Sequence, residues 1–98
     1  MSRVAYVDGR YVPHGRATTH IEDRGYQFAD GVYEVIAISG GRMVDAEGHL
    51  VRLHRSLNEL RIDWRMSDRA LVAILQELIR LNGVTDGSVY LQITRGVA

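Results

Sequence analysis

The clearest alternation of apolar and polar positions falls at residues 32–38, Val-Tyr-Glu-Val-Ile-Ala-Ile. A period of two predicts a strand with Tyr33, Val35 and Ala37 on one face and Val32, Glu34, Ile36 and Ile38 on the other. The residues before it, EDRGYQFADG at 22–31, carry charge and glycine, and they predict a tight loop that turns at Asp30-Gly31 into the strand. Nearer the N-terminus, 4–7 (VAYV) and 10–12 (RYV) flank Asp8-Gly9, the strongest short signal for a β-hairpin. Pro13 cannot donate to a ladder, so the second strand is expected to end there or to lie at an edge. Residues 14–24 have no period and read as a surface connection.

Beyond the central strand, Gly40-Gly41 predicts a second tight turn, and Arg42-Met43-Val44 a short returning strand. Asp45 then opens a helical pattern in which Leu50, Leu53, Leu57 and Leu60 recur at intervals of three and four. His49, Arg52 and Ser56 share one sector beside that stripe, on the boundary between core and solvent. Ser67 is placed to cap a second helix, whose apolar face is Leu71, Ile74, Leu75, Leu78 and Ile79 and whose end is marked by Asn82-Gly83. After a turn at 85–87, residues 88–95 alternate again, with Val89, Leu91 and Ile93 on one face and Tyr90, Gln92 and Thr94 on the other. The order predicts an α+β domain, a mainly antiparallel sheet with two helices packed against it.

Composition narrows the chemistry. At 98 residues the chain is at most one domain, and 46% hydrophobic with 24% charged residues is the balance of an ordinary globular sequence. Twelve basic residues balance twelve acidic ones, so no net field draws the chain to nucleic acid or an anionic membrane. No apolar run is long enough to span a bilayer, and the N-terminus lacks a signal-peptide core, which together set the expectation of a cytoplasmic protein. Cysteine is absent, which excludes disulfides and thiolate chemistry. All twelve basic residues are arginine, and without a lysine the chain has no side-chain amine for Schiff-base chemistry.

Few residues stand out as candidates. The four histidines have no zinc-like spacing, so no metal site is expected. Arg52 reads either as a side chain snorkelling over the helix flank, the more ordinary role, or as a bidentate clamp on a phosphate or carboxylate. Tyr33 likewise reads first as a strand aromatic packing across to its neighbour, and second as part of an apolar ligand wall with Val35 and Ala37. Glu34 lies on an otherwise apolar strand face and requires a partner or an interface.

Three stretches, EDRGYQFADGVYEVI from Glu22, the helix GHLVRLHRSL with its H-x-x-R-L-x-x-S core from His49, and YLQITRG from Tyr90, resemble the N-terminal region of class IV pyridoxal-phosphate aminotransferases. The run through Val-Tyr-Glu-Val is most similar to the D-amino-acid branch, and the resemblance covers essentially the whole chain. It implies that 1–98 is the small N-terminal domain of a fold-type IV enzyme, incomplete at its C-terminal end. Arg52 then matches the arginine that holds the cofactor phosphate, Tyr33 a tyrosine that helps receive the substrate carboxylate, and Val35 and Ala37 positions lining the substrate side chain. The implied reaction moves an amino group between an amino acid and a 2-oxo acid in a homodimer. Its Schiff-base lysine would lie in a larger C-terminal domain, and the arginine and histidine of the carboxylate trap just past Gly96. This chain alone is therefore expected to be inactive. An aminodeoxychorismate lyase or a branched-chain transaminase is the alternative within the family, and a non-catalytic interaction domain the alternative outside it.

Overall fold

A computed structural model of the protein describes residues 3–97. Strands β1 (Val4–Val7) and β2 (Arg10–Pro13) pair antiparallel with Val7 opposite Arg10, and Asp8 and Gly9 between them take φ of 49° and 86°. Two successive positive φ values give a turn whose twist matches that of the strands, which Asp tolerates and Gly supplies. The strand ends at Pro13, as its missing N–H requires, and a single 3-10 turn, His14–Arg16, follows.

The stretch at 22–31 departs from the expected loop. It holds a one-turn helix, α1 (Arg24–Phe28), capped by Asp23, whose carboxylate accepts from the Gly25 N–H at 2.8 Å. Ala29 at φ 55° ends it in the left-handed region, so the turn falls there, while Gly31 already belongs to the next strand. One turn is too short to leave a period in the sequence.

The central strand β3 (Gly31–Ser39) alternates exposed and buried positions along its length, as predicted. The Gly40-Gly41 turn returns the chain into β4 (Arg42–Met43), one residue shorter than expected. Helix α2 (Ala46–Glu59) is capped by Asp45, and α3 (Asp68–Asn82) by Ser67, whose hydroxyl accepts from the Ala70 N–H at 3.1 Å. The final strand β5 (Gly87–Thr94) runs antiparallel to β3 over its whole length, from Gly31 opposite Thr94 to Ile38 opposite Gly87.

The architecture is α+β and antiparallel, but the strands divide into two sheets, β1-β2 and β4-β3-β5. Helices α2 and α3 both lie on one face of the larger sheet. Leu50, Leu53, Leu57, Leu71, Leu75 and Ile79 pack there against Val32, Ile36, Ile38, Val89 and Ile93. Leu60, expected on the apolar stripe, instead forms the C-cap of α2 and is exposed, because the helix ends one residue earlier. An isolated hairpin is marginal in water. Here it is tied to α3 through Asn82, whose side chain accepts from the Val4 N–H at 2.9 Å and donates to the Val4 carbonyl at 3.0 Å. On the opposite face of β3 and β5, turned away from α2 and α3, Tyr33, Val35 and Tyr90 stand exposed.

Candidate functional site

Glu34 is the one buried charged residue among those described, with 3% of its surface exposed. Strand parity drives it into the core face, where an unpaired carboxylate would be costly. Helix α2 supplies the partners. His49 and Arg52 are three apart on one flank of that helix and reach the same carboxylate. Arg52 donates from Nε to Oε2 and from Nη2 to Oε1, both at 2.8 Å, and His49 Nδ1 donates to Oε1 at 2.6 Å. A carboxylate only accepts, so the proton between them sits on Nδ1 of the imidazole. Hydrogen bonding from Arg52 holds the Glu34 carboxyl below its usual range, and the same bond raises the guanidinium pKa, with a smaller contribution from the Tyr33 phenol.

The outward half of Arg52 is what makes this triad useful. Its side chain is 61% exposed although one edge is committed to Glu34. A guanidinium carries five N–H donors and Glu34 takes two, so the Nη1 edge remains turned toward water. Fixed by its inner edge, the fork presents two parallel donors to an anion at little entropic cost. Snorkelling is thus not its state in the fold.

Tyr33, Val35 and Ala37 lie on the open face of the sheet, where alternation places them, with Tyr33 64% exposed. The register adds three residues to this face: Gln92 stands opposite Tyr33, Tyr90 opposite Val35 and Ser88 opposite Ala37. The Tyr33 and Tyr90 rings stack at 5.7 Å with 20° between planes, and the Tyr90 hydroxyl donates to the Gln92 amide oxygen at 2.9 Å. Tyr33 therefore does what the ordinary reading expected, packing across the strand, while leaving most of its surface free. Ser56, grouped with His49 and Arg52 in the sequence, takes no part in the Glu34 contacts. Alternation gives the shared face of Tyr90 and Gln92 but not the strand they lie beside, so their place next to Tyr33 is set by the register. Shallow hollows at His54, Asn58 and Trp64 and at Asp8, Arg10 and Arg16 include none of these side chains. No three His, Asp or Glu side chains gather as a metal set among the described residues.

Glu34→Gln tests the triad. A carboxamide accepts on one oxygen only and turns an N–H toward a donor, so the variant is expected to lose about 1–3 kcal/mol at neutral pH. The folded carboxyl is held below the 4.5 of a free glutamate, so its contribution is complete above that value and is lost as pH falls through the folded pKa. Denaturant unfolding from pH 7 to 3 should show wild type and variant converging on the acid side. A constant gap across that range would exclude an ionised Glu34 as the cause.

The model of the family "Amino-transferase class IV" matches residues 31–98, the span that holds β3, the Glu34 triad and β5. This chain belongs to that family. It is 45% identical over 91 residues to the D-alanine aminotransferase of Bacillus licheniformis, covering 93% of this chain and 32% of that protein. It is also similar to the solved 4-amino-4-deoxychorismate lyase of Pseudomonas aeruginosa, with a TM-score of 0.65, 31% identity, and coverage of 84% of this chain and 29% of that one. The solved branched-chain amino acid aminotransferase of Escherichia coli shares the fold, with a TM-score of 0.88 at 21% identity over 98% of this chain and 34% of that one. The chain thus spans about a third of the length of these relatives. The α+β fold expected from the residue pattern is the one they share. No helix among the described residues is long and apolar enough to cross a membrane.

Proposed function

We propose that these residues are the small-domain part of a longer pyridoxal-phosphate-dependent transaminase that moves an amino group between a D-amino acid and a 2-oxo acid. The observation that carries the reading is Arg52, an arginine anchored from behind by a buried carboxylate, with its outer donor edge free among the described residues. That donor set fits a phosphate monoester, and the likeness to D-alanine aminotransferases supports the D-amino-acid substrate. When bound, pyridoxal phosphate supplies the electron-withdrawing system that labilises the bonds at the amino-acid α-carbon.

The residues of this chain bind and orient. Arg52 holds the phosphate, while Glu34 and His49 fix its guanidinium. Tyr33 donates a hydrogen bond from its phenol to the substrate carboxylate, and the Tyr90 ring keeps the phenol from swinging along the strand. Val35 and Ala37 form the floor under the substrate side chain, and their small size leaves the sheet surface accessible there. With no lysine among the 98 residues, the amine that must hold the cofactor comes from another part of the longer protein, and this chain alone is inactive. A homodimer that covers the exposed face and a cytoplasmic location consistent with zero cysteines complete the proposal.

The likeness to a 4-amino-4-deoxychorismate lyase at 31% identity supports a second reading, a lyase on the same cofactor. Assaying the longer protein, loaded with cofactor, on D-alanine, L-leucine and aminodeoxychorismate separates the readings. D-alanine should be turned over at least about tenfold more efficiently than either alternative, a ratio that one well-made pocket supplies. Preference for L-leucine or for aminodeoxychorismate would sink the D-amino-acid assignment.

A further inference from the structure

Two three-residue stretches far apart in sequence, Asp23-Arg24-Gly25 and Thr94-Arg95-Gly96, lock into each other at one end of the open face. Arg24 donates from Nε to the Gly96 carbonyl at 3.0 Å, and from Nη2 to the Arg95 and Val97 carbonyls at 3.2 and 3.1 Å. Its backbone N–H also donates to the Gly96 carbonyl at 2.9 Å. Asp23 accepts the Thr94 hydroxyl at 3.1 Å and bridges to Val97. Gly25 lies so close over Thr94 that an added Cβ would stand 2.2 Å from its Cγ2. Only glycine allows that approach.

The lock adjoins the site. Thr94 and Gly31 form the pair next to Gln92 and Tyr33 on the same face of the ladder, since side chains two apart share a face. By covering Thr94, α1 walls that end of the face. A planar fork spread over three consecutive carbonyls also fixes the peptide planes where β5 ends, a constraint that a strand terminus does not need for its own hydrogen bonding.

We propose that Arg24 is a positioning residue for the substrate: by gripping the end of β5 it seats α1 as the end wall of the open face and holds the Tyr33–Gln92 pair in place. This role rests on the transaminase reading above. It acts on the amino acid, and not on the cofactor, because the lock lies on the Tyr33 face and has no contact with Arg52 or Glu34.

The test uses the longer, cofactor-loaded protein and two variants. Arg24→Lys keeps the charge but cannot span three carbonyls, and Thr94→Val keeps the shape but loses the hydroxyl. The amino-acid KM is expected to rise about tenfold in Arg24→Lys and about threefold in Thr94→Val, with kcat and the cofactor Kd changed by less than about twofold. Hydrogen exchange should speed up at residues 23–31 and 94–97 and stay unchanged in α2. An unchanged KM in both variants, or KM, kcat and cofactor Kd worsening together, would overturn the positioning role. A wild-type protein that transfers no amino group would overturn the transaminase reading itself, and this role with it.

Discussion

Arg52→Ala is expected to weaken cofactor retention in the longer protein roughly ten- to hundredfold, the range set by losing one charge-assisted contact to a phosphate. It is also expected to lower the melting temperature, because the same side chain supplies two of the three hydrogen bonds on Glu34. Truncation leaves that buried carboxylate with His49 alone, and breaking a buried pair costs more than the pair itself contributes. Exposure of the guanidinium lets water soften this cost. The two effects separate in the Glu34→Gln background, where removing Arg52 should still weaken the cofactor while destabilising less. Titrating each variant with pyridoxal phosphate and following its absorbance gives the binding constant, and thermal melts give the rest. An unchanged cofactor constant in both backgrounds would remove Arg52 from the phosphate site.

Leu53→Ala should have the largest effect on folding. Leu53 is only 1% exposed, on the α2 stripe that faces the sheet, and neighbours Arg52 in sequence without sharing its surroundings. A cavity at such a site costs about 3–5 kcal/mol, against about 5–15 kcal/mol for the whole stability of a typical domain. A large drop in the denaturant midpoint is expected in Leu53→Ala. Val51→Ala, on the exposed side of the same helix, should stay within about 0.5 kcal/mol of wild type. Equal losses at 51 and 53 would mean that α2 does not pack as described.

The comparison of Tyr33 with Glu34 shows how much of the site was legible in the residues. They are adjacent on one strand, parity alone puts them on opposite faces, and the structure places them so. That Glu34 needed a partner followed from the cost of a buried carboxylate. That the partner is Arg52 did not, because both residues carried open alternatives and eighteen positions separate them. Tyr90 shows the same limit, as its alternation was plain but its stack on Tyr33 depends on β5 lying beside β3 in one register. At Asp23-Arg24-Gly25 the residue pattern suggests a loop where the fold has a helix, since a single helical turn has no period and its stabilising contacts lie some seventy residues away.

The sequence by itself determined what depends on neighbours along the chain: the Asp8-Gly9 hairpin, the parity of β3 and β5, the helix start at Asp45 and the cap at Ser67, and the lack of a side-chain amine for Schiff-base chemistry. Each follows from the stereochemistry of a few consecutive residues or from the inventory of side chains. The tertiary structure decided which faces meet: β5 beside β3, the Glu34 carboxylate against Arg52, and Arg24 on the end of β5. Those contacts join residues whose encounter is set by register and by burial of the shared core, and no local window of sequence contains either.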